Sequence, residues 1–298
     1  MREQNLRAGI LLMIAVSFIF AVQDALSRHL ASEYNTIMVV MIRYWFFAAF
    51  VTAIAARAGG GLRSVVRTAR PGLQILRAVL LVSEVCVMVL AFVLLGLVQA
   101  HAVFAAFPLI VTVLSGPILG EKAGWRRWAA VMVGFAGILV ILRPGTGVFT
   151  PAALIPLLSA TLFALYSLLT RYAARYDPPE TSFFWTGVVG AVLLTPAGLF
   201  LWQPMAREDW GWMLGLCVAS SLSHYLLIRA YDVAEASAIQ PFAYFQLVFS
   251  VAIGVLLLGE PLHPLTALGT AIVVSAGLFT FLRARQKAVA LEGSDDTG

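Results

Sequence analysis

Charge is scarce in this sequence. Only 12% of its 298 residues are Asp, Glu, Lys or Arg, about half the share of a soluble domain. With 61% hydrophobic residues and a mean hydropathy of +0.91, a water-facing globule is excluded, because long apolar stretches would be left in water. Cysteine is rarer still. Cys86 and Cys217 both lie inside apolar runs without metal-ligand spacing, so they read as small buried hydrophobes rather than a disulfide or redox pair. The four histidines, His29, His101, His224 and His263, are scattered. No H-E-x-x-H, G-x-S-x-G or G-x-x-x-x-G-K-[ST] pattern occurs, so zinc hydrolysis, serine-nucleophile chemistry and nucleotide hydrolysis have no motif to rest on. The expectation is a chain that is not an enzyme and carries no metal or cofactor.

What is present is apolar sequence in lengths that suit a bilayer. About 20 residues of helix cross roughly 30 Å of hydrocarbon. Ten such runs are predicted: Ala8–Ser27, Thr36–Ala56, Leu73–Leu95, Gln99–Leu119, Arg127–Leu142, Ala152–Thr170, Thr181–Leu201, Trp210–Ile228, Ala236–Leu258 and Leu265–Leu282. The first reads as a span rather than a cleaved signal, since no small-x-small site closes it and further runs follow. The net charge of +5 sits in short gaps between runs, which points to a membrane surface and not to nucleic acid. With the N-terminus in the cytoplasm, sixteen of the 20 Lys and Arg residues fall on the inner side, as the positive-inside rule requires. Both termini are then cytoplasmic, Gly59–Pro71 is an inner loop, and residues 284–298 form a disordered tail.

The sequence also repeats. Phe20-Ala21 and Leu26-Ser27-Arg28 match Phe163-Ala164 and Leu169-Thr170-Arg171, 143 positions on. Leu119-Gly120-Glu121 matches Leu258-Gly259-Glu260 at 139 positions, and Ala136-Gly137 with Leu142-Arg143 matches Ala276-Gly277 with Leu282-Arg283 at 140. Two repeats are expected, 8–144 and 151–283. Each holds five crossings, so the second is inverted relative to the first, the arrangement of many secondary transporters.

The segments Pro108…Leu119-Gly120-Glu121…Gly134…Gly137-Ile138-Leu139-Val140 and Leu258-Gly259-Glu260-Pro261…Gly269…Ala276-Gly277 resemble the ends of two EamA-type domains. The resemblance is to the ten-helix branch of the drug/metabolite transporter superfamily, and within it to the bacterial aromatic amino acid exporters of the YddG type. It implies an all-α, polytopic membrane protein with ten transmembrane helices in two inverted five-helix repeats around a central cavity. The first, third, fourth, sixth, eighth and ninth helices would line that cavity, in a bacterial inner-membrane protein that is a monomer or a weak homo-oligomer.

Ionisable groups inside a bilayer are costly and by default mark function. Glu84 lies near the middle of the third run, and its repeat-mate Ser223 is the neighbour of His224. Glu84 either meets a substrate ammonium or coupled proton, or is a protonated packing group; His224 carries the same two readings. Asp24 and Arg43 stand at similar depths on the first two runs and are expected to form a structural ion pair. His101 and its mate Gln240 either rim the cavity or lie among headgroups. Phe163, Tyr166, Tyr225, Tyr244 and Gln246 supply the rings and the polar group that a pocket for an amino acid needs. Pro108, Pro117, Pro156, Pro196 and Pro241 are expected to interrupt helices. The function expected from these residues and the resemblance is export of amino acids, aromatic and other neutral ones, with the lipid bilayer and a small-molecule substrate as partners. Export of lipophilic cations is the alternative.

Overall fold

The computed structural model describes residues 5–57, 61–121, 124–142, 152 and 154–259, with short pieces at 264–265, 267–269, 271–272 and 275–276. Among them every regular element is a helix. In chain order these are α1 (Leu6–Glu33), α2 (Thr36–Arg57), α3 (Gly61–Val66), α4 (Pro71–Leu95), α5 (Leu97–Phe104) and α6 (Phe107–Leu119). The second half supplies α7 (Trp125–Leu142), α8 (Leu154–Ala173), α9 (Pro179–Phe200), α10 (Asp209–Val233), α11 (Ala236–Ala243) and α12 (Phe245–Leu258). With no water in the hydrocarbon to take backbone hydrogen bonds, an apolar chain must satisfy them within helices.

Among the described residues, seven segments are long and apolar enough to cross a membrane: α1, α2, α4, α8, α9, α10 and the stretch Ala238–Leu258. The chain is a polytopic membrane protein. Its outer faces carry bare hydrophobes such as Phe200 and Leu256, 89% and 80% exposed, which only lipid can cover favourably. Nine of the ten expected runs are helical, and the tenth, Leu265–Leu282, lies mostly outside the described residues.

Two of the five expected proline interruptions occur. The fourth run divides at Ala105-Ala106 just before Pro108, and the ninth run divides at Tyr244 just after Pro241. Proline lacks the N–H that would continue the ladder, so a break nearby costs little. The other prolines do not interrupt: Pro117 and Pro196 lie inside α6 and α9, and Pro156 lies in the first turn of α8, where no donor is needed. Gly120 and Gly259 end α6 and α12 in the left-handed region, at φ 72° and 66°. Both copies of Leu-Gly-Glu therefore stop a helix by the same αL glycine cap.

Packing repeats as the sequence does. α1 packs along α10 and α4 along α8; α1 also packs on α12 and α8 on α6. Exchanging the halves carries each pair onto its mate, while α2 and α9 pack on each other. That last contact is made through glycine. A Cβ at Gly190 would stand 2.2 Å from ring carbons of the buried Tyr44, and one at Gly198 would stand 2.4 Å from the Met41 sulfur. Small residues let helices approach closely where lipid offers no hydrophobic drive to associate. Gly190→Ala is therefore expected to cost about 1–3 kcal/mol by overpacking. Thermal unfolding in detergent measures it, and an unchanged midpoint would show that α2 and α9 have room to part.

Candidate functional site

Between the halves lies a cavity of about 30 Å³, walled by rings and lined with charge. That volume holds one or two waters. Phe20 and Asp24 reach it from α1, Arg43 from α2, Glu84 from α4, Phe163 from α8, His224 from α10 and Gln246 from α12. Burial forces each of these polar side chains to find a partner or to remain costly.

Asp24 has found several. Its Oδ2 accepts from Gln246 Nε2 at 3.0 Å and faces His101 Nε2 at 3.0 Å, and its Oδ1 accepts from Gln23 Nε2 at 3.2 Å. His101 Nδ1 lies 3.0 Å from the Leu97 carbonyl, which only accepts, so that nitrogen carries a proton. The His101–Asp24 contact then needs a second proton, held on the ring or on the carboxyl. Phe92 stacks on the imidazole at 5.1 Å and fixes its plane. His101 thus touches a cavity-lining residue, Asp24, without lining the cavity itself, and is buried rather than set among headgroups.

The ion pair expected between Asp24 and Arg43 does not form. Asp24 is committed to His101, Gln246 and Gln23, and among the described residues no carboxylate lies within ion-pairing distance of Arg43. Equal depth sets height along the membrane normal but not direction around the helix. Arg43 is only 2% exposed, and its Nε and Nη2 have no hydrogen-bond partner.

Glu84 is the fourteenth residue of the 25-residue α4, near its middle, and its Oε1 accepts from Ser159 Oγ at 2.9 Å. His224 donates from Nδ1 to the Ser220 carbonyl at 2.9 Å and meets the Phe20 ring at 5.3 Å. Phe20 and Phe163, matched 143 positions apart in the sequence, meet edge to face at 6.0 Å, where symmetry-related helices converge.

Three aromatic candidates lie elsewhere. Tyr166 is fully buried one turn along α8 under the Arg77 guanidinium, 5.4 Å from its ring centre. Tyr225 packs against Phe183 in a separate apolar groove between α2, α9 and α10. Tyr244 sits at the α11–α12 break, its ring against Gly134 and its hydroxyl donating to the Val131 carbonyl at 3.4 Å. Gln240 is buried and donates to the Tyr231 hydroxyl at 2.9 Å, away from the cavity. In place of the three tyrosines the walls are Phe92, Phe104 and Phe20. The repeat match of Phe20 with Phe163 was the signal available for one of them.

Polar groups also tie the ends of the bundle. Gln74 Nε2 donates to Asp177 Oδ2 at 2.8 Å and to Ser182 at 3.2 Å, while Arg77 donates to Thr170 at 2.9 and 3.0 Å and to Gln74. Nearby, Glu121 of the first Leu-Gly-Glu lies 3.6 Å from Arg171 and accepts from the Ala236 amide, joining the end of α8 to the start of α11. At the far end the Tyr34 hydroxyl donates to Asp209 at 2.6 Å, which raises the phenol above its ordinary value. None of these networks was expected from the sequence, because each joins helices far apart in the chain, as in Gln74–Asp177, 103 positions, and Tyr34–Asp209, 175.

The comparisons with known proteins agree with this architecture. A riboflavin transporter of Vibrio cholerae is 29% identical over 277 residues, covering 91% of this chain and 92% of its own. An S-adenosylmethionine uptake transporter of Rickettsia prowazekii is 25% identical over 259 residues, covering 87% of each. A solved crystal structure superposes with a TM-score of 0.78 at 18% identity, over 94% of this chain and 99% of that one, a likeness of fold alone. The EamA-like transporter family matches twice, at residues 7–143 and 150–282, and with two copies filling nearly the whole sequence the chain belongs to that family.

Proposed function

We propose that the chain moves amino acids, large neutral and aromatic ones among them, across the bacterial inner membrane through this cavity. The observation that carries the reading is one buried chamber holding Phe20, Phe92, Phe104 and Phe163 beside a carboxyl, Glu84, and a guanidinium, Arg43. Ring faces take an aromatic side chain, and opposite charges take the two ends of a zwitterion. S-adenosylmethionine, which the Rickettsia relative is named for, carries the same α-amino-acid head. A lipophilic cation fits less well, since the buried Arg43 guanidinium in the chamber wall would repel it. Net direction follows the gradients and any coupled ion; export is the direction that we propose.

A chamber of about 30 Å³ is too small for a phenyl ring, so the helices around it must part to admit substrate. We assign that motion to rocking of two inverted halves, with both termini in the cytoplasm. In a variant lacking Cys86 and Cys217, a cysteine at the exposed Ser64 of α3 should react with impermeant thiol reagents only from the cytoplasmic side. Labelling in intact cells would reverse the orientation.

Riboflavin is the second reading, favoured by the Vibrio cholerae relative and by the phenyl rings that wall the chamber. Counterflow into proteoliposomes with labelled phenylalanine, S-adenosylmethionine and riboflavin separates the two. Phenylalanine counterflow supports the amino acid reading, whereas riboflavin flux with no amino acid flux would replace it.

A further inference from the structure

We infer that Arg43 is the receptor for the substrate's carboxylate, and so the residue that decides which small molecules the chamber accepts; this rests on the amino acid reading above. A guanidinium withdrawn from water is costly unless its donors are matched. Arg43 lines the chamber at 2% exposure, yet its Nε and Nη2 donate to nothing. These two nitrogens lie on one edge of the planar group. Together they form the side-on fork that takes both oxygens of a carboxylate in parallel hydrogen bonds.

The nearby carboxyls do not satisfy this fork. Both oxygens of Asp24 are held by His101, Gln246 and Gln23, and Glu84 turns its Oε1 to Ser159. The adjacent Tyr44 offers its ring, 5.7 Å away, and no oxygen bond. The contrast with Arg77 is informative. That arginine is equally buried, and it spends its donors on Thr170 and Gln74 as a structural arginine must. Arg43 lines the chamber with a fork that no group among the described residues satisfies. With its carboxylate on Arg43, an amino acid would have its ammonium available to Glu84 and its side chain among the phenyl rings.

The test compares phenylalanine with phenethylamine, the same molecule without its carboxylate, as inhibitors of phenylalanine counterflow by the full chain in proteoliposomes. The wild type should prefer phenylalanine by about 100-fold, the range expected when a buried charge loses its partner. Arg43→Gln should weaken phenylalanine by a similar factor and leave phenethylamine nearly unchanged, abolishing the preference. Arg43→Lys, a charge without the fork, should fall between. A structural arginine would lower the unfolding midpoint when lost; for Arg43→Gln the ligand-free midpoint in detergent should hold or rise. A wild type indifferent to the carboxylate, or a variant that discriminates as the wild type does, overturns the assignment and leaves amino acid transport standing. If the wild type carries no amino acid, the reading beneath it falls and takes the assignment with it.

Discussion

Phenylalanine transport by Glu84→Gln is expected to fall about 30-fold while the yield of folded protein stays the same. The substitution separates charge from shape. Glutamine keeps the volume of the side chain and an Oε1 able to accept from Ser159 Oγ, the bond now seen at 2.9 Å. What it removes is the carboxylate, with its attraction for an ammonium and its capacity to take a proton. A hydrogen bond to a charged group contributes about 1.5–3 kcal/mol, or roughly 10- to 150-fold in an equilibrium constant, and the expected loss lies inside that range. The result divides further by pH. If only ammonium binding is lost, the pH dependence of the remaining transport follows that of the wild type. If Glu84 also carries a coupled proton, the variant's transport becomes insensitive to an imposed pH gradient. Undiminished flux at every pH tested would make Glu84 a packing group held by Ser159.

The charged members of the chamber were legible in the sequence, and the physics explains why. Lipid tolerates few ionisable groups, so Asp24, Arg43 and Glu84 stood out against their apolar runs, and all three line one cavity. The rings were harder to assign, since aromatic residues suit lipid, core and pocket alike. His224 and Tyr225 are adjacent on α10, about 100° apart around the axis, and only His224 faces the chamber. Phe163 and Tyr166 share a face of α8 but differ by nearly one turn in height, enough to put Tyr166 in the layer of Arg77. Partner choice was beyond sequence reading altogether. Asp24 bonds residues 77 and 222 positions away, and nothing short of the fold brings those helices together. The breaks in the fourth and ninth runs were foreshadowed by Pro108 and Pro241, yet Pro117 and Pro196 gave the same signal and left their helices whole.

The largest loss of stability is expected at Asp177, a residue outside the chamber. It lies between α8 and α9, is 5% exposed, and accepts three hydrogen bonds. One comes from the Thr68 hydroxyl at 2.5 Å, one from the Ala69 amide at 3.0 Å and one from Gln74 Nε2 at 2.8 Å. Through Gln74 it reaches Arg77, whose remaining donors hold Thr170 on α8. A single carboxylate thus anchors the segment before α4, orients Gln74, and supplies the negative charge nearest to a fully buried arginine. Asp177→Ala leaves three donors unmatched and the Arg77 charge without its counterweight. Breaking a buried charged network from one side costs about 3–5 kcal/mol. Asp177→Asn keeps two acceptor lone pairs but not the charge, and should lose less. Thermal unfolding in detergent reads both variants, and proteolysis between α3 and α4 reads the freed segment. Because this network touches no residue of the chamber, the folded fraction of Asp177→Asn should keep the wild-type preference for phenylalanine over phenethylamine. A variant that unfolds at the wild-type temperature would mean that water already shares these bonds, and that some other contact holds α4 against α8 and α9.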